Sequence, residues 1–229
     1  SGKVIFLLTV SSFWFGCNNA AKEIVKDKEI YERERDVFLN VTSYYSAKFL
    51  MLAMITMGQV ILLLSLVNYY TGLPGSFWSQ AFFITTIGIC GVSTGLLISS
   101  VSRNTDMAVT LVPVAIIPQV ILAGLIFPID GFAELLSNVF ISCYWGYGNM
   151  MSSLPEPIAE AADYGNWSYL SSGVVMIHAG LMIIMANAVL YAADKRLSLK
   201  GSGIDKWLNN AAKRFQGASS ETSEGGYSE

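Results

Sequence analysis

Long apolar stretches without Lys, Arg, Asp or Glu recur along the chain, and short polar or charged segments separate them. A helix needs about 20 apolar residues to cross the hydrocarbon core of a bilayer. The pattern therefore predicts an all-α, polytopic membrane protein with about five transmembrane helices. Four stretches are long enough, and a shorter one is interpreted as part of a fifth span: Phe49–Tyr70, Trp78–Val101, Met107–Phe127 and Gly173–Ala193, with Val4–Cys17 as the shorter one.

The densest cluster of charges, residues 18–38, lies between the first two apolar stretches. On a helix its apolar residues share one broad face, and most of its charged side chains lie opposite. Asp27 and Glu34 interrupt the apolar face, and a carboxylate that packs against protein needs a partner. We therefore predict an amphipathic helix that docks on protein. The alternative is a solvated, charged loop that only sets the membrane topology.

Lys and Arg are enriched in cytoplasmic loops, so they predict the orientation. If residues 21–48 are cytoplasmic, thirteen of the 14 Lys and Arg residues lie inside and only Lys3 lies outside. Residues 194–229 are then cytoplasmic too, and we expect most of this polar tail to be disordered. Residues 128–172 are then extracytoplasmic. They are rich in aromatic residues, so we predict a short helix there at the membrane interface.

Composition narrows the possible functions. The chain is 53% hydrophobic and 14% charged, whereas soluble domains have about 25% charged residues. The sequence contains no phosphate-binding P-loop and no HExxH or GxSxG motif, and its predicted spans contain no carboxylate. These features argue against an intramembrane hydrolase and a proton-coupled carrier. The three cysteines lack metal-ligand spacing, so no metal site is predicted.

Several polar or small residues inside the predicted spans have two interpretations. Small residues at helical spacing allow close helix packing, either within the chain or between two copies. Gln119 would either bond to a neighbouring helix or face a water-filled path. For His178 we predict an interhelical hydrogen bond, whereas Cys143 could be a free thiol or form an intermolecular bridge. Helix packing is predicted at Gly91, Gly95 and Gly124.

Two stretches resemble a known family. "GCNNAAKEIVKDKEIYERERDV", followed by "TSYYSAK", resembles the segment after the second membrane helix of ABC-2-type permeases. The most similar members are the G-type (white-pigment and pleiotropic-drug-resistance) half transporters and their bacterial relatives. "IPQVILAGLIFP" resembles the fifth helix of that family. The outer segment of the family often has a proline before its tyrosine, whereas this chain has Ile141-Ser142-Cys143-Tyr144 there. The resemblance implies a transmembrane domain, 1–193, whose first membrane helix precedes this chain, and a tail, 194–229.

The resemblance also implies a mechanism. The charged segment would be a coupling helix that contacts a nucleotide-binding domain outside this chain, and that domain would hold ATP and Mg. Two transmembrane domains, identical or different, would enclose the export path. The implied coupling residues are Glu23, Lys26, Asp27, Glu29, Arg33, Glu34 and Arg35, and the implied substrate-cavity residues are Phe13, Phe15, Ile116 and Gln119. The alternatives are a non-transporting membrane enzyme or assembly subunit and a passive channel.

Overall fold

A computed structural model describes residues 2–27, 40–124, 131–155, 172–193 and 195. Their secondary structure is helical, as predicted. Three of the helices, α2, α3 and α7, are long and apolar enough to cross a membrane, and α4 is apolar but shorter. The helices are α1 (Gly2–Ala20), α2 (Val41–Thr71), α3 (Phe77–Val101), α4 (Thr105–Ile121), α5 (Phe132–Phe140), α6 (Ser142–Ser152) and α7 (Ser172–Ala193).

The chain divides into two compact units, Ser1–Ala188 and Val189–Glu229. The first unit contains α1 to α6 and most of α7. The predicted tail, 194–229, lies outside the described residues except for Lys195, which is helical and exposed.

Local signals set the helix ends. The side chain of Asn40 accepts a hydrogen bond from the backbone N–H of Thr42 at the start of α2, and Gly72 ends this helix with φ 58°. Asn104 caps the start of α4 in the same way. Helix α4 ends at Ile121, so the predicted span to Phe127 was too long. Gly124 has φ 93° and lies in the bend that follows, not in a helix.

Helix α3 is the centre of the fold. In its most apolar stretch 67% of the residues are buried, against 22% in α2. Helix α1 packs directly on α3, since a Cβ atom at Gly16 would lie 2.1 Å from the Gly88 carbonyl oxygen. A Cβ at Gly91 would lie 2.2 Å from the Phe13 carbonyl oxygen, and one at Gly95 would be 2.4 Å from that of Cys17. The two backbones therefore touch, and Gly91 and Gly95 face α1 of the same chain.

The segment predicted to be extracytoplasmic contains two helices among its described residues, where one was predicted. Helix α5 is short and amphipathic, and it exposes Phe132, Leu135 and Phe140. Helix α6 follows immediately and is largely buried. It runs antiparallel to the first half of α3, because Ser142 contacts Cys90 and Gly146 lies against Ile87. We call α5 and α6 together the outer hairpin, after the location predicted for them.

Candidate functional site

The charged segment begins directly after α1. Residues 21–27, which we call the charged turn, form consecutive hydrogen-bonded turns and not a regular α-helix. The Ala21 N–H donates to the Cys17 carbonyl and the Lys26 N–H donates to the Lys22 carbonyl, both at 3.0 Å. The predicted helix is therefore described only at its start. Four of the predicted coupling residues, Glu29, Arg33, Glu34 and Arg35, lie outside the described residues.

One side of the charged turn is fixed to the end of α3 by a buried serine. The backbone N–H groups of Ile24 and Val25 both donate to Ser99 Oγ, each at 3.0 Å. All three residues are buried. The Ser99 hydroxyl thus satisfies two adjacent donors that would otherwise be buried without a partner. No sequence signal indicates this role, because Ser99 is one of several small polar residues in α3.

The other side of the charged turn is fixed to the base of α2 by ion pairs. Lys48 Nζ lies 2.5 Å from Asp27 Oδ2 and 3.4 Å from Glu23 Oε2. Glu23 also pairs with Lys26, at 2.5 Å. Asp27 thus has the partner that its place on the apolar face required. Lys22 and Lys26 are exposed, so the positive charges of the turn face away from the helices.

A third contact joins the end of α1 to α2. The side-chain amide of Asn19 donates to Gln59 Oε1 at 2.6 Å and to Thr56 Oγ1 at 3.4 Å. The end of α1 and the charged turn are therefore held at three points, twice by α2 and once by α3.

The predicted cavity residues do not lie on one surface. Phe13 is 1% exposed and belongs to the core, whereas Phe15 is 36% exposed. Residues that are two positions apart on a helix are rotated by about 200° about its axis, so the side chains of Phe13 and Phe15 point in nearly opposite directions. Ile116 and Gln119 are partly buried on α4. Their part in a substrate cavity stays a prediction.

Gln119 and His178 both bind the outer hairpin. Gln119 Oε1 accepts the Cys143 N–H at 3.0 Å, and Gln119 Nε2 donates to the Phe140 carbonyl at 3.3 Å. His178 Nδ1 lies 3.0 Å from Ser142 Oγ, which also accepts the Cys90 thiol at 3.2 Å. The His178 contact links α7 to α6, as predicted for a lone membrane histidine. Cys143 is a buried free thiol.

Comparison with known proteins adds two similarities. The pattern of a family described as ABC-2 type transporter matches residues 2–154, from the start of α1 to just beyond α6. The chain is also similar to the ABC transporter ATP-binding/permease protein Rv1747 of Mycobacterium tuberculosis (strain ATCC 25618 / H37Rv), with 20% identity over 214 residues. That alignment covers 87% of this chain and 24% of the relative, so the chain spans about a quarter of that protein's length.

Proposed function

Because the chain belongs to the ABC-2 type transporter family as a permease domain, we propose that it forms half of a dimeric export path driven by an ATPase domain outside residues 1–229. The name of the mycobacterial relative joins ATP binding and permease function in one protein, which supports such a partner. We propose that ATP and Mg bind to that domain, because this sequence contains no P-loop. Within the family we propose a G-type half transporter, on the resemblance of the charged segment.

The protein is a multi-pass membrane protein, and we propose the cell membrane as its location. The distribution of Lys and Arg supports a cytoplasmic location for residues 21–48 and 194–229 and an extracytoplasmic one for 128–172. The charged turn and Lys48 then lie together on the cytoplasmic side, where an ATPase domain can reach them. The second permease domain would be an identical or a different chain.

One observation carries the proposed coupling role: the charged turn is fixed to two membrane helices at once. Ser99 holds it to α3, and Lys48 holds it to α2. A force on the exposed side of the turn would reach both helices through short polar contacts. Helix α1 would move with α3, because their backbones touch at Gly16, Gly91 and Gly95.

The exposed charges of the turn suit a docking role. Lys22 and Lys26 are solvent-exposed, and Glu23 is partly exposed beside them. Charges of this kind contribute more to orientation and partner choice than to affinity. The ATPase domain would therefore recognise the turn through complementary charges. Asp27 pairs with Lys48 and would transmit a displacement of the turn to α2.

The test uses the full-length protein with its ATPase domain in proteoliposomes. ATP hydrolysis is measured together with the flux of rhodamine 6G, fluorescent phospholipids and small ions. We expect ATP hydrolysis and ATP-dependent flux of at least one amphipathic probe. Ion flux that is independent of nucleotide would indicate a passive channel. Absence of ATP hydrolysis would contradict the proposed function.

A further inference from the structure

At the junction of the outer hairpin, the end of α5 and the start of α6 share one residue that cannot cap either helix with its side chain. Ile141 is at once the residue that ends α5 and the residue that precedes α6, and its side chain makes no capping hydrogen bond. Helix ends leave backbone N–H and C=O groups without partners inside the helix. In an apolar environment such groups must find other partners. Ile141 is 4% exposed, so water has little access to hydrogen-bond the backbone groups at this junction.

Gln119 of α4 supplies partners to both arms of the hairpin. Its amide oxygen accepts the Cys143 N–H in the first turn of α6, and its amide nitrogen donates to the Phe140 carbonyl at the end of α5. One side chain therefore bonds the last residue of one helix and an early residue of the next. Few side chains other than Asn and Gln combine a donor and an acceptor in this way.

His178 of α7 holds the second arm of the hairpin, α6. Its Nδ1 lies 3.0 Å from Ser142 Oγ in the first turn of α6. Since Ser142 Oγ accepts the Cys90 thiol, its own hydrogen is available to His178 Nδ1. The neutral imidazole thus accepts a hydrogen bond from the second arm of the hairpin.

We propose that Gln119 and His178 are positioning residues that lock the outer hairpin onto α4 and α7 and so keep the extracytoplasmic end of the proposed path closed. The second half of this inference rests on the proposed function. Gln119 bonds both arms and His178 bonds α6, so the hairpin can leave its place only when both contacts break. Helix α6 carries the buried side chains of Tyr147 and Met150, so such a movement would uncover the core beside α1 and α3.

Cys143 provides a native reporter of this lock, because it is 0% exposed and its backbone N–H is held by Gln119. The experiment treats membranes containing the full-length protein with a membrane-impermeant maleimide from outside and identifies the modified cysteine by peptide mass. Gln119→Leu and His178→Leu should each accelerate Cys143 labelling about tenfold or more, as expected when buried groups lose their partners. Both variants should also raise the leak of rhodamine 6G without ATP.

Two matched controls remove a polar side chain from the same helices without touching the hairpin. Thr110 on α4 donates to the Asp106 carbonyl, and Asn187 on α7 donates to the Ile183 carbonyl, each within its own helix. Thr110→Val and Asn187→Leu should leave Cys143 labelling at the wild-type rate. Equal acceleration in the controls would overturn the proposal, because any lost polar group would then loosen the hairpin.

Two conservative variants, Gln119→Glu and His178→Gln, test the same contacts if a Leu variant fails to fold. Gln119→Glu retains the acceptor for Cys143 and loses the donor for Phe140, so its labelling rate should lie between those of the wild type and Gln119→Leu. His178→Gln should restore part of the protection. Unchanged labelling in all of these variants overturns the lock.

The two readouts also separate the lock from the proposed function. Faster labelling without a leak would retain the positioning role and overturn closure of a path. Faster labelling in a protein whose wild type shows no ATP hydrolysis would retain the lock and overturn the transport function. Unchanged labelling beside normal ATP-dependent flux would overturn the lock alone.

Discussion

Asp27 and Lys48 form an ion pair, with 2.5 Å between Oδ2 and Nζ, across 21 positions of sequence. Their side chains are 26% and 21% exposed, so the pair is shielded from bulk water only in part. It connects the charged turn to the base of α2. It is the shorter of the two ion pairs that Lys48 makes with the charged turn, since Glu23 Oε2 lies 3.4 Å from Lys48 Nζ.

The ion pair can be tested with a double-mutant cycle of Asp27→Asn and Lys48→Met. Each change should lower thermal stability in detergent, and the two together should cost less than the sum, with a coupling of roughly 1 kcal/mol for a partly exposed pair. Lys26→Met is the control, because Lys26 is 48% exposed and pairs with Glu23. It should change stability little. Strict additivity of Asp27→Asn and Lys48→Met would show that the pair contributes nothing.

Ser99→Ala should loosen the charged turn. The substitution leaves the Ile24 and Val25 N–H groups buried without their acceptor, which costs about 1–3 kcal/mol for each unsatisfied group. Hydrogen exchange of these two amides should accelerate, and the melting temperature should fall. Ser100→Ala is the matched control, since Ser100 Oγ donates to the Leu97 carbonyl in its own helix. Equal protection of both amides in the two variants would rule out the anchor.

Gly16→Leu should separate α1 from α3. Even a Cβ atom would lie 2.1 Å from the Gly88 carbonyl oxygen, and backbone atoms on both helices cannot move aside. We expect a loss of more than about 3 kcal/mol, or failure to accumulate in the membrane. In contrast, Gly58→Ala on α2 meets nothing within 4 Å and should stabilise its helix by roughly 0.5–1 kcal/mol. A well-folded Gly16→Leu protein would contradict the close packing.

Much of the fold could be predicted from the sequence because a bilayer imposes a minimum length on apolar helices. Trp78–Val101 was predicted and α3 is Phe77–Val101, with the Gly72–Gly75 turn setting its start. Helix α6 was missed for a physical reason. It contains Ser, Gly and Asn and is buried because α1 and α3 approach it closely, and hydrophobic periodicity does not register such a helix.

The candidate site was predictable only in part. The position of Asp27 on an apolar face predicted that it needs a partner, but nothing local indicated Lys48, which is distant in sequence. Ser99 also acts through a long-range contact, 75 positions from Ile24. Gln119 shows which part of a role is readable from the sequence and which is not. Its place in an apolar helix predicted a polar role, and the structure shows hydrogen bonds to two helix ends that the sequence could not specify.

The most direct test asks what the charged turn touches in the working protein. A photo-crosslinking amino acid is placed at Lys26, which is exposed on the turn, and at Trp78, which is 80% exposed at the start of α3 and proposed to be on the outer side. The full-length protein is irradiated in membranes with and without ATP, and crosslinked peptides are identified by mass. We predict nucleotide-dependent crosslinks from position 26 to the ATPase domain and none from position 78. Crosslinks from position 26 to lipid alone, or labelling of that position from outside the cell, would contradict the account.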